Sequence, residues 1–100
     1  MIKIPKSFKL FATTIKVVLD NKRMNDLKAY GLCDYGRSEI TVSTVDGVDE
    51  LSDDKRIDTF YHERVHMILD HMHEYDLSQN EKFVDLFAKL QRQADETADY

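Results

Sequence analysis

The 100-residue sequence has one cysteine, one proline, no sustained apolar run and no excess of basic residues. A lone thiol, Cys33, cannot close an internal disulfide, so a reducing compartment is expected, the cytoplasm by default. Lysines and threonines interrupt every apolar stretch of "MIKIPKSFKLFATTIKVVLD", so neither a signal peptide nor a membrane span is expected. Fourteen basic against nineteen acidic residues give a net charge of −5. A protein built to grip phosphate backbones needs a basic surface, so no nucleic-acid partner is expected. Repeats and low-complexity tracts are missing too. One hundred residues support one hydrophobic core, hence a single domain over 1–100.

The first half reads as strands. "TIKVVLD" (14–20) alternates Ile15, Val17 and Leu19 with Thr14, Lys16 and Val18, a period of two that predicts a half-buried strand starting as early as Phe8. Pro5 fits an edge or entry segment. "NKRMNDLKA" (21–29) is polar and reads as a loop or short helical turn. Tyr30–Tyr35 and Glu39–Thr44 form two extended runs about Tyr35-Gly36-Arg37-Ser38, where Gly36 can supply a positive φ. Asp46-Gly47 marks the exit turn. The expectation is a three-stranded, mostly antiparallel sheet over about 8–45.

The period then changes. Ile57, Tyr61, Val65, Ile68, Met72 and Tyr75 recur every three or four residues, predicting an amphipathic helix over about 53–74 with Ser52 or Asp53 as N-cap. "DLSQ" (76–79) is a short connection. A second helix over about 79–94 carries Phe83, Phe87, Leu90 and Ala94 in one line, with Val84 and Ala88 beside it. A short link makes the two helices antiparallel neighbours. The fold class is α+β, with the helix pair packed on one face of the sheet.

All four histidines fall within "FYHERVHMILDHMH" (60–73), which contains His-Glu-x-x-His at His62, Glu63 and His66. Two histidines four apart share one helix face and can converge on one ion. Glu63 between them is placed to take a proton from a zinc-bound water, whose pKa falls to about 7. With four His and six Glu in the chain, chance supplies this pattern on the order of 0.01 times. A catalytic Zn2+ needs a third protein ligand and an open position. His73 lies two turns beyond His66 on the same helix, too far to share the ion, and His71 points elsewhere; both suit a helix end. Glu81 opens the second helix, which brings it back alongside His66. Its alternative is a capping box, Ser78-x-x-Glu81. Asp85, one turn on, is a reserve ligand or a carboxylate behind a ligating histidine.

The order of elements resembles the small phage and prophage zinc metallopeptidases related to the ImmA/IrrE group. "TIKVVLD", "YGLCDYGRSEITVST", "FYHERVHMILD" and "NEKFVDLFAKL" carry the resemblance, from about Thr14 to Ala88. In that group a Glu in Glu-x-x-Ala-x-x-Phe-Ala supplies the third ligand. Glu81-x-x-Val84-x-x-Phe87-Ala88 keeps the spacing, with Val in place of Ala, and Arg64 stands where the group usually has an apolar residue. The resemblance implies a zincin-like peptidase domain acting on a protein substrate, with phage or host regulators as the class.

In zinc peptidases the substrate lies extended beside an edge strand next to the metal helix. Glu39–Thr44 is the candidate edge. Tyr35, Tyr61 and Tyr75 are the tyrosines that could assist an oxyanion, though Tyr61 belongs to the apolar stripe. Cys33 reads as a small buried residue rather than a nucleophile. The expected function is a zinc-dependent peptidase using His62, His66 and Glu81 for the metal and Glu63 as base. The rival is a non-enzymatic phage accessory or interaction protein that keeps zinc as a structural clip.

Overall fold

The computed structural model describes residues 3–46 and 49–100. β1 (Ser7–Leu10) and β2 (Thr13–Leu19) form an antiparallel hairpin, with Phe11 at its tip at φ 54°. The run from Phe8 is therefore a strand of its own, turned back at Phe11-Ala12. α1 (Asn21–Leu27) is capped by Asp20, which accepts from the Arg23 N–H at 3.0 Å, and it ends at left-handed Lys28. Met24 is its buried residue. β3 (Gly31–Asp34) and β4 (Glu39–Val42) form a second hairpin. Its left-handed residue is Ser38, at φ 53°, and not Gly36.

The sheet has four strands in the order β1-β2-β4-β3, and β2 and β4 run parallel, Lys16 facing Glu39 and Leu19 facing Val42. This corrects the three-stranded, mostly antiparallel sheet. The stretch through α1 and β3 carries the chain across, so β4 returns beside β2 in the same direction. Glu39–Val42 is consequently interior, paired on both sides. The edges are β1 and β3, with β3 the one against α2, and the expectation of an edge at Glu39–Thr44 is wrong. β5 (Val45–Asp46) and β6 (Asp49–Glu50) pair as a separate two-stranded ladder. Gly47 of the expected exit turn lies outside the described residues.

α2 (Asp53–His71) starts at Ser52, whose Oγ accepts from the Lys55 N–H at 3.2 Å, with Asp53 and Asp54 in the first turn. It stops short of residue 74 because His73 takes φ 60°, and the Glu74 N–H closes the end onto the Leu69 carbonyl at 2.9 Å. The expected connection 76–79 is mostly a helical turn, α3 (Tyr75–Ser78). α4 (Glu81–Thr97) begins at Asn80, whose side chain accepts from the Phe83 N–H at 3.1 Å. Asn80, not Ser78, is thus the cap, and Ser78 and Glu81 form no capping box.

The core joins Ile15, Ile40 and Val42 of the sheet to Ile57, Phe60, Tyr61, Val65, Met67 and Leu69 of α2 and Val84 and Ala88 of α4. α2 lies between sheet and α4, so more than one stripe of it is buried; Met72 and Tyr75, beyond its end, are exposed. On α4 the buried line is Val84–Ala88, whereas Phe87 and Leu90 of the expected line are exposed. Small residues let the helix axes approach closely, and here they decide the packing face.

Polar contacts run the length of the α2–α4 seam. Arg92 reaches Asp54 (2.6 Å) and Asp58 (3.1 Å), and the Tyr61 hydroxyl donates to Asp95 at 2.6 Å. Arg64, where the resemblance leads one to expect an apolar residue, donates to Gln91 at 3.1 Å and covers the Tyr61 ring. Among the described residues no helix is long and apolar enough to cross a membrane.

Candidate metal centre

α2 places His62 and His66 one turn apart, their rings 5.0 Å from each other. With Glu63 they offer ligand atoms all within 4.8 Å of one another, a group that could hold a metal ion. The antiparallel return of α4 adds Glu81 from the solvent side. Its Oε2 lies 3.1 Å from His62 Nε2 and its Oε1 3.3 Å from His66 Nε2. Atoms sharing a tetrahedral ion at about 2.0–2.1 Å are about 3.3 Å apart, and the Glu81 carboxylate meets each histidine at about that spacing, one oxygen to each ring.

The ring nitrogens facing away from Glu81 have partners of their own. His66 Nδ1 lies 3.0 Å from the hydroxyl of buried Ser78. When that nitrogen carries the proton and donates to Ser78, the Nε2 lone pair points toward Glu81. His62 Nδ1 lies 3.8 Å from Asp85 Oδ1. Asp85 therefore stands behind a histidine rather than beside Glu81, and an ion pair with Lys89 at 2.9 Å holds its carboxyl below the usual range. Burial pushes the His66 pKa down, against the opposing charge of Glu81, which favours the neutral ring that a ligand requires.

Glu63 is the buried member of the group, 9% exposed, and its Oε2 has no hydrogen-bond partner. A buried carboxylate oxygen left unpaired is costly and calls for an explanation in function. Burial first, and then the charge of Glu81, raise its pKa from 4.5 to about 7. A carboxyl poised there can accept and release a proton near neutrality.

Glu63 faces β3 across a glycine. A Cβ on Gly31 would sit 2.6 Å from Thr59 Cγ2 and 2.9 Å from Glu63 Cγ. Gly31 is therefore what lets the edge strand approach α2 so closely. Two clefts flank this crossing and share Gly31 and Glu63. One, of about 250 Å³, includes Tyr30, Lys55, His62 and Asp85; the other, of about 240 Å³, includes Leu32, Cys33, His66 and Asp70.

Other candidates lie elsewhere. His71 Nδ1 is 2.9 Å from the Met67 carbonyl and its ring meets Tyr35 edge-on. His73 is past the helix end, stacked on Tyr75. The Tyr61 hydroxyl is engaged by Asp95, and Tyr35 and Tyr75 line neither cleft. Tyr30 does. Burial, with the charges of Glu63, Asp70 and Asp34, pushes the Cys33 thiol up to about 12, which leaves it unreactive.

Sequence reasoning missed Gly31 and the true partner of Ser78. A glycine inside a strand was the available signal for the first. The second had none, because an Asn one residue before Glu81 caps the helix equally well. Compared with protein-family models, with curated proteins and with solved structures, the chain matches none.

Proposed function

We propose that the protein is a zincin-like, zinc-dependent peptidase acting on a protein substrate, with His62, His66 and Glu81 as metal ligands and Glu63 as general base. The carrying observation is the Glu81 carboxylate set against the Nε2 atoms of both histidines, at 3.1 and 3.3 Å, with an unpaired Glu63 oxygen buried alongside. Zn2+ at these ligands would supply Lewis-acid polarisation of a peptide carbonyl and acidify a water. Glu63 takes the proton of the attacking water and passes it to the leaving nitrogen, a role its buried position between His62 and His66 suits. Ser78 holds the His66 imidazole in place, and Asp85 stands 3.8 Å behind His62. β3 is the strand beside which an extended peptide would lie, since it is a sheet edge and Gly31 abuts Glu63. Regulators of phage or host are the substrate class suggested by the resemblance to the ImmA/IrrE group, and the cytoplasm is the compartment that fits the lone thiol.

A structural zinc clip is the second reading. It is favoured by one observation: the ligands come from two helices, so an ion would staple the start of α4 to the middle of α2. Elemental analysis of protein purified without added metal tests both. One equivalent of zinc, lost on His62→Ala, is expected. Metal-free wild type that also fails to take up added zinc would rule out both readings; where zinc is bound, Glu63→Gln separates them, since it abolishes cleavage in the first, whereas in the second the wild type does not cleave either.

A further inference from the structure

Glu63, His66 and Asp70 stand at i, i+3 and i+7 of α2 and so share one of its faces. With Gly31, Leu32 and Cys33 of β3 they line the cleft of about 240 Å³. Two carboxylates face this cleft without a cation. One is Glu63, 9% exposed, whose Oε2 has no hydrogen-bond partner. The other is Asp70, which lies in the last turn of α2, where the helix dipole disfavours a negative charge. Among the described residues Asp70 has no lysine or arginine partner. The second cleft differs in this respect. There Asp58 meets Arg92 at 3.1 Å and Asp85 meets Lys89 at 2.9 Å.

We propose that the cleft at Asp70 is the subsite for a lysine or arginine side chain of the substrate, with Asp70 as the residue that selects it. This rests on the peptidase reading, with a peptide extended beside β3. Asp70 lies four residues beyond His66, about 6 Å along the helix axis. An extended peptide advances about 3.3 Å per residue. The selected side chain is therefore within two residues of the scissile bond. Leu32 and Cys33 offer an apolar wall to its aliphatic stem, and Asp70 receives its charged head. The charge of Asp70 acts on Cys33 and His66 inside the cleft and on Tyr75 beyond it. Tyr75 is exposed and hydrogen-bonded to exposed Tyr35. Aromatic rings beside an unpaired carboxylate suit a cation better than an apolar group.

Peptide binding to Glu63→Gln, which does not turn substrate over, tests this. The probes are fluorescein-labelled hexapeptide pools with Lys, Leu or Glu fixed at one position, read by polarisation. At one position the Lys pool is expected to bind about tenfold more tightly than the Leu pool. Adding Asp70→Asn should bring the two within about twofold, and adding Asp70→Lys should make the Glu pool the tighter one. The thermal midpoint of Asp70→Asn should not fall, since a charge leaves the negative end of α2. Equal Lys and Leu pools at every position overturn the proposal, and so does a Lys preference that survives Asp70→Asn. Cleavage by zinc-loaded wild type separates the subsite from the peptidase reading. Cuts with no Lys or Arg enriched within two residues would remove the subsite alone. No cuts, with a Lys preference that depends on Asp70, would remove the peptidase reading and leave a site for basic peptides.

Discussion

Glu81 Oε2 lies 3.1 Å from His62 Nε2, joining two helices across nineteen residues of sequence. Glu81 is the first residue of α4 and is not its cap, so its carboxylate is spared from the helix end. Replacing it separates the ligand from the residue behind. Glu81→Ala is expected to cost zinc affinity by well over 100-fold, and Asp85→Ala by about tenfold. Competition against a fluorescent chelator measures both. The reverse order would make Asp85 the ligand.

Ser78 supplies a hydroxyl to His66 and nothing to the α4 cap. Ser78→Ala is expected to lower zinc affinity about tenfold and to cost about 1 kcal/mol of stability, since the His66 nitrogen loses its partner. An unchanged affinity with the same loss of stability would reduce Ser78 to packing.

Glu63 makes the metal-free protein pH-sensitive. Its pKa is raised from 4.5 to about 7 in the fold. Between those values the unfolded chain has released the proton and the fold retains it, so stability falls as pH rises through that window. Above it the loss is on the order of 3 kcal/mol. In chelator, Glu63→Gln should therefore be more stable than wild type at pH 8 and match it at pH 4.5, read as urea midpoints. Equal midpoints at pH 8 would mean that the buried carboxylate carries no cost.

Gly31 sets the distance between the edge strand β3 and α2. Gly31→Ala places a methyl at 2.6 Å from Thr59 and 2.9 Å from Glu63. It is expected to destabilise by about 1–3 kcal/mol and to displace Glu63, so that any peptidase activity falls further than the loss of folded protein explains. A variant of normal stability and activity would show that β3 can move away freely.

α2 was legible because its signals are local. His-Glu-x-x-His lies within five residues, and the Ser52 cap and Asp53–Asp54 announce the start of α2. The helix pair and the return of Glu81 to His66 followed from a short connection. Sheet order was not legible. The parallel pairing of β2 with β4 depends on how α1 and β3 cross, and no residue in either strand records it. The packing face of α4 was misread for a related reason. Phe83, Phe87 and Leu90 outweigh Val84 and Ala88 in hydrophobicity, but close approach of α2 admits the small pair. Left-handed Ser38, in place of Gly36, belongs to the same class: a turn geometry settled by the strands it joins.

In the proposed mechanism Glu63 works as a base beside a metal held by His62, His66 and Glu81. Its most direct test is cleavage of a proteome-derived peptide library by zinc-loaded protein, with new termini counted by mass spectrometry for wild type and for Glu63→Gln. New termini are expected with wild type and none with Glu63→Gln, both proteins binding one equivalent of zinc. Equal counts from the two proteins, whether both cut or neither does, would contradict it.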